Sequence, residues 1–161
     1  MVYALGIMKL VVTLAFAATL MAVPTSDPYA SLAPTERTLL KPQVERWIHD
    51  HVKHDWSDMW EIQDQTSQLK NELLLNRDAP DMDRKQYVQA MQQTIGVGYP
   101  EIKAFTLREI RSEGGSFLVL GCGKLQREAW KQTSVTEVQV RIENGKVLFG
   151  LPKLTSDLCK L

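Results

Sequence analysis

The sequence predicts an α+β fold in which amino-terminal helices precede a four-stranded antiparallel meander curled around a long helix, forming a cone-shaped roll. Two observations predict this architecture. Apolar residues recur at helical spacing before Pro100 and at every second position after it. The alternating segments are separated by turn residues, among them Asn144-Gly145, a pair favoured in two-residue type I′ hairpins. Helices therefore come first in the chain, and consecutive strands follow.

The first predicted helix is the longest and runs from Gln43 to Gln65. Apolar side chains recur three and four residues apart along it, as on the buried face of an amphipathic helix. Pro42 stands just before it, where the fixed φ of proline suits a helix start. Two further helices are predicted over 67–75 and 83–94, and turn residues follow each of them.

Four strands are predicted over 102–111, 116–126, 133–143 and 146–151, each rich in β-branched and other apolar residues. Glu113-Gly114-Gly115 supplies a turn that tolerates positive φ between the first two. Gly121 and Gly123 lie inside the second strand and predict a bulge or bend there.

An export signal is predicted at the amino terminus. Every residue from Leu10 to Val23 is apolar or threonine, and Lys9 precedes the run. Because a membrane-spanning helix needs about 20 apolar residues, the run is short for one. We predict a signal peptide over 1–22, a linker or arm over 23–42, a single roll domain over 43–161, and a secreted or periplasmic protein. One alternative is that the leader is not cleaved and anchors the protein, which would be its one contact with a membrane. Another alternative is that translation starts at Met8.

The charge balance disfavours nucleic acid as a partner. Nineteen basic and nineteen acidic residues cancel, and loss of Lys9 with the leader leaves a net charge of about −1. No overall positive field is available to attract phosphate backbones.

Cys122 and Cys159 are predicted to form a disulfide, because an even number of cysteines in an oxidising compartment favours pairing. The alternative is a nucleophilic Cys122 assisted by a histidine. No motif typical of a nucleophile surrounds Gly121-Cys122-Gly123.

The segment His54-Asp55-Trp56-Ser57-Asp58-Met59-Trp60-Glu61-Ile62, the helix from Arg84 to Met91 and the strand meander resemble the secreted branch of the nuclear-transport-factor-2-like superfamily. The resemblance covers about residues 43–152 and implies the cone-shaped roll, with a pocket between helix and sheet. The superfamily includes isomerases, dehydratases and hydrolases that use a carboxylate or histidine there, and many members without known catalysis. A cystatin-like roll, with one helix against four strands, explains the same pattern.

The three histidines, His49, His51 and His54, lie within six residues and raise the question of a metal site. On a regular helix His49 and His51 project about 160° apart, so they do not share one ion. The pairs His51 with Asp55 and Asp50 with His54 offer two ligands each, fewer than zinc requires. We therefore expect neither a metal nor a cofactor.

His51 and Asp55 are the candidate catalytic residues. Four residues apart on the apolar face of the predicted helix, they can hydrogen-bond, with Asp55 orienting a His51 imidazole that titrates near neutral pH. The alternative is a structural pair, or an Asp55 at the rim of the roll.

Tyr87, Arg84 and Trp56 are the candidate ligand-binding residues. Arg84 and Tyr87 share a helix face and can reach the mouth of a pocket, and Trp56 lies with Trp60 on a second stripe suited to ligand stacking, to packing or to a homodimer contact. Two functions are left open. The first is an exported domain that binds a small molecule or a protein, and the alternative is a small lyase, isomerase or hydrolase that uses His51 and Asp55.

Overall fold

The computed structural model describes residues 27–64, 82–98, 100–127 and 130–159. The predicted leader and the predicted helix over 67–75 lie outside these residues. The described part contains three helices, α1 (Pro34–Lys53), α2 (Trp56–Ile62) and α3 (Arg84–Thr94). It also contains five strands, β1 (Glu101–Glu113), β2 (Ser116–Arg127), β3 (Trp130–Glu143), β4 (Lys146–Phe149) and β5 (Lys153–Leu158).

The strands form one antiparallel sheet in the order β1-β2-β3-β4, with β5 also paired to β3. β3 is 14 residues long, so it accommodates β4 at its carboxyl end and β5 nearer its start. Between β4 and β5 the chain breaks from regular pairing, and the Gly150 amide donates to the Gln139 carbonyl at 2.7 Å. The last sheet position is therefore filled by two short strands.

The predicted roll is wrong. The sheet has five strands instead of four, and the long helix that it was expected to enclose is divided in two. Residues 43–65 do not form one helix, because His54 adopts a left-handed conformation (φ 60°) that ends α1 before α2 begins. The first helix begins at Pro34, which occupies the position predicted for Pro42, and Pro42 lies inside it.

The resemblance to the nuclear-transport-factor-2-like superfamily, and to a cystatin-like roll, is wrong for the same reason. The segment 54–62 that suggested it is a left-handed residue followed by a separate seven-residue helix, α2. The described residues form a mostly sheet structure with short helices at one face.

The strand predictions before β5 are confirmed, with starts that agree within three residues. Both tight hairpins have two-residue loops whose residues all take positive φ: Gly114 and Gly115 at 54° and 89°, Asn144 and Gly145 at 51° and 76°. This is the conformation of a type I′ turn, which matches the twist of the flanking strands. The prediction of a helix over 83–94 is also confirmed, with the Asp83 side chain accepting from the Gln86 amide at the start of α3.

The core lies between one face of the sheet and the helices. α1 contributes the fully buried Leu40, Val44 and Trp47. The Trp47 ring stacks on Phe149 at 5.9 Å between centroids and meets the edge of Phe105 at 5.5 Å. The sheet contributes residues that are also 0 or 1% exposed, namely Ile110, Val119, Val138, Val140 and Phe149.

Curvature enters the sheet through β1. Its pairing with β2 shifts register at Lys103 and at Arg108, so the predicted irregularity lies on the strand opposite the glycines. Gly121 is needed for space, since a Cβ at that position would lie 2.2 Å from Cζ of Phe105.

The predicted disulfide is confirmed. Cys122 and Cys159 are bonded, with their Cα atoms 5.8 Å apart and a separation of 37 positions in the sequence. Cys122 belongs to β2, whereas Cys159 follows β5, and β3 lies between these strands. The bond therefore fastens the end of the chain to the middle of the sheet.

Candidate binding site

The corner between α1 and α2 positions the histidines and carboxylates that the sequence suggested as functional. The left-handed His54 closes α1 with its backbone amide bonded to the Asp50 carbonyl, and the Asp55 amide reaches the same carbonyl at 2.8 Å. His54 Nε2 lies 2.8 Å from Glu101 Oε1 on β1, and its ring stacks on Trp56 at 5.4 Å. The corner is thus held to the edge strand of the sheet.

His51 is buried in the core, with 5% of its surface exposed. Its Nδ1 lies 3.3 Å from the Trp47 carbonyl, and the two rings are 4.2 Å apart. Burial lowers the pKa of His51 from 6.5 to about 4, because the charged imidazolium would lose its hydration there. The imidazole is therefore neutral at physiological pH.

The cavity beside His51 is small. The volume open to the centre of a water molecule is about 10 Å³, which is room for a single water. Its described lining includes His51, Gln63, Tyr87 and the Gly150–Pro152 break between β4 and β5. The pocket that the sequence analysis expected between helix and sheet is therefore mostly filled by side chains.

Asp55 lies elsewhere. It is exposed, and its Oδ1 accepts from the Asp58 amide at 3.1 Å, so it is the amino-terminal cap of α2. Because α1 ends at Lys53, Asp55 is not one helical turn above His51, and the structure gives each of the two a different hydrogen-bond partner. The arrangement that the proposed catalytic role requires is not formed.

A carboxylate cluster that sequence reasoning missed lies at the same corner. The Arg46 guanidinium makes a two-pronged contact with Asp58, and Arg46 Nε is 3.9 Å from Asp50 Oδ2. The side chain of Asp50 is 4% exposed. Burial, followed by the neighbouring Asp58, raises the pKa of Asp50 to about 6, whereas Arg46 lowers the pKa of Asp58 to about 2. The cluster joins α1 to α2.

The three residues predicted to bind a ligand have mixed positions. Trp56 and Tyr87 are buried, at 3% and 2% exposure, and belong to the core. Arg84 is half exposed and connects α3 to α2, through Glu61 at 2.8 Å and the Ser57 hydroxyl at 3.0 Å. Tyr87 packs against the neighbouring Trp60, with the two ring centroids 5.2 Å apart.

The Trp60 groove lies between α2 and the β3–β4 hairpin. It encloses about 520 Å³, within the range of small-molecule sites, and is lined by Trp60, Glu61, Gln63, Glu143, Asn144, Lys146 and Leu148. The Gln63 side chain is buried, and its Oε1 has no hydrogen-bond partner among the described residues. A buried amide oxygen without a partner is costly unless a water molecule supplies a donor, and Gln63 also lines the water-sized cavity beside His51.

The carboxylates of this groove lie beside arginines. Glu61 pairs with Arg84 at 2.8 Å, and Glu143 lies 3.3 Å from Arg141, which also contacts Asp64 at 2.5 Å. Trp60 was predicted only as a packing or stacking residue, and Gln63, Glu143 and Lys146 were not predicted at all. The exposed Asn144-Gly145 turn and the alternating apolar residues on both sides of it predicted the hairpin, but not its contact with α2.

Metal ligands do not converge in the part of the chain that the structure describes. No group of three His, Cys, Asp or Glu side chains there is arranged to hold an ion. His49 contacts Asp50 at 3.1 Å, His51 contacts Trp47, and His54 contacts Glu101.

Within the residues that the structure describes, no helix is long and apolar enough to cross a membrane.

Comparison with known proteins gives no family. No protein family matches the sequence, and no curated protein matches it. A solution structure of a SEC-C motif containing protein from Rhodopseudomonas palustris aligns with a TM-score of 0.43 and 12% sequence identity, over 67% of this chain and 72% of that chain. A likeness at this level carries no argument about function.

Proposed function

We propose that this chain is an exported domain that binds a small, neutral, polyhydroxylated molecule such as a sugar in the Trp60 groove. The observation that carries the proposal is the position of the half-buried Trp60 ring in one cavity of about 520 Å³ together with the polar side chains of Glu61, Asn144 and Lys146. The leader and the disulfide support the exported half of the proposal.

The chemistry of the groove favours hydroxyl groups over charge. Glu61 is paired with Arg84, and Glu143 lies beside Arg141 and on the same hairpin as Lys146, so cations accompany both carboxylate acceptors. The Asn144 amide can donate and accept, and Lys146 is a donor at the hairpin. The C–H face of a sugar ring can lie on the Trp60 indole while its hydroxyls meet these acceptors.

The cavity beside His51 does not support a competing proposal. Space for about one water molecule does not admit a substrate, and Asp55 is on the outside of the corner. No specific observation favours a lyase, an isomerase or a hydrolase.

Replacing Trp60 by alanine is expected to weaken sugar binding by roughly tenfold or more, because the stacking surface is removed. Trp60→Phe retains an aromatic face and should keep most of the affinity. Binding is measured by isothermal titration and by ¹H–¹⁵N NMR shifts, with a panel of neutral mono- and oligosaccharides.

Leu39→Ala, at an exposed position on α1, is the matched control and should leave binding unchanged. If no saccharide of the panel shifts the Trp60 indole or the Lys146 amide, or if Trp60→Ala binds as well as the parent protein, the proposed ligand class is wrong.

The export half of the proposal is tested independently. Expression of the full chain with its natural leader in a secreting host is expected to give a product that begins at Val23, as read by amino-terminal sequencing. A product that retains residues 1–22 in the membrane fraction would contradict cleavage and favour the anchor.

A further inference from the structure

A second groove lies at the opposite end of β3 and has a different chemistry. It encloses about 320 Å³ on the sheet near the β2–β3 connection, and its described lining is Lys103, Lys124, Leu125, Gln126, Lys131, Gln132 and Thr133. Lys131 and Glu143 are 12 positions apart on β3, so this groove and the Trp60 groove are separated by about 40 Å along the strand. We refer to it as the lysine groove.

The strand register brings two of the lysines together. Lys124 on β2 is paired with Thr133 on β3, and Lys131 is the next residue on the same side of β3, so Lys124 and Lys131 are diagonal neighbours. The Cα atoms of such neighbours are about 7 to 8 Å apart, a distance that lets two long side chains reach one small anion. Both lysines are exposed.

The charges in the groove are not balanced. Lys103 Nζ lies 2.5 Å from Glu101 Oε1, so this lysine is neutralised by its own strand. Lys124 and Lys131 have no acidic partner among the described residues, and no carboxylate belongs to the described lining. Two other grooves contain carboxylates. The Trp60 groove contains Glu61 and Glu143, and a groove between β2, β3 and the segment that joins β4 to β5 contains Asp64 and Glu137.

We propose that the lysine groove binds a phosphate group through Lys124 and Lys131. A phosphate monoester carries a charge of about −1.5 to −2 at neutral pH, which matches two uncompensated ammonium groups. The Thr133 hydroxyl and the Gln126 side-chain amide lie on the same face of the sheet as the two lysines and supply neutral donors.

The test uses the purified protein and two sources of the same chemistry. Inorganic phosphate and glycerol 3-phosphate are titrated at constant ionic strength, with chloride as the reference, and amide shifts are followed by NMR. Binding to phosphatidylcholine vesicles with and without phosphatidic acid is measured by co-sedimentation. We expect shifts at Lys124, Lys131 and Thr133, and a loss of affinity of about tenfold in Lys124→Gln/Lys131→Gln.

Lys41→Gln/Lys53→Gln is the matched control, because it removes the same charge from exposed positions on α1. Binding of the soluble phosphates that is lost only in the groove variant supports a soluble ligand, and binding of phosphatidic acid vesicles alone, lost in the same variant, supports a lipid headgroup. The proposal is overturned if neither source binds, if chloride gives the same shifts, or if both double variants lose affinity equally.

Discussion

Replacing both cysteines by serine is expected to lower the free energy of unfolding by about 4 kcal/mol. The bond between Cys122 and Cys159 closes a loop of 37 residues, and without it the unfolded chain gains the conformational freedom that this loop denies it. Since a domain of this size is stable by about 5 to 15 kcal/mol, the loss is a large share of the total. Urea denaturation followed by circular dichroism measures the difference.

Reduction provides the matched control for this experiment. Dithiothreitol should destabilise the parent protein by the same amount and leave Cys122→Ser/Cys159→Ser unchanged. A double variant within about 1 kcal/mol of the parent protein, or two reactive thiols in the folded, untreated protein, would contradict a structural role for the bond.

Acidification from pH 7 to pH 4 is expected to cost the parent protein about 3 kcal/mol through His51 alone. The pKa of His51 is about 4 in the folded protein and near 6.5 when the chain is unfolded, so between these values the unfolded state binds more protons. The loss of folding stability caused by His51 is small above pH 6.5, grows as the pH falls, and reaches its full size below pH 4. His51→Gln lacks it, so its stability relative to the parent protein should improve by about 3 kcal/mol between pH 7 and pH 4.

The comparison with His51→Gln is needed because the neighbouring Asp50 has the opposite trend. Burial raises the pKa of Asp50 to about 6, so its contribution is present below pH 3.8 and is lost as the pH rises through 6. The dependence of folding stability on pH in the parent protein therefore combines the effects of His51 and Asp50. An NMR titration of the His51 ring gives its pKa directly, and a value near 6.5 would refute the explanation from burial.

The sheet was largely predictable because its signals are local. Alternation of apolar residues marks β1 to β4, and Gly114-Gly115 and Asn144-Gly145 specify two-residue turns from their own conformational preferences. β5 was missed because Gly150 and Pro152 look like the end of the sheet. Its place is fixed by the length of β3 and by Cys159, which are long-range features.

The helices were harder because apolar spacing continues across a break. Val52 and Met59 keep the helical period on both sides of His54, and a non-glycine residue with positive φ leaves no signal in that pattern. A local signal was nevertheless present: Asp55 followed three residues later by Asp58 is typical of a helix start.

The break between α1 and α2 explains why His51 and Asp55 do not form the predicted pair. The spacing of His51 and Asp55 indicates a hydrogen-bonded pair only on a continuous helix. Once α1 ends, Asp55 caps α2, and α2 instead presents Trp60 and Gln63 to the β3–β4 hairpin. The meeting of a helix with a distant hairpin depends on tertiary packing, which periodicity does not encode.

The two irregular positions of β1 bear on how the protein behaves at high concentration. A free edge strand invites other chains to add to it, which is a common route to aggregation. Here a bulge at Lys103 and another at Arg108 interrupt the edge. The Ile110 amide donates to the Pro28 carbonyl, and the Ser31 hydroxyl donates to the Ile110 carbonyl, so neither group of Ile110 is open to a second chain. Residues 104–107 and 109–113 keep regular pairing, so the edge that β1 offers to a second chain is divided into two short stretches.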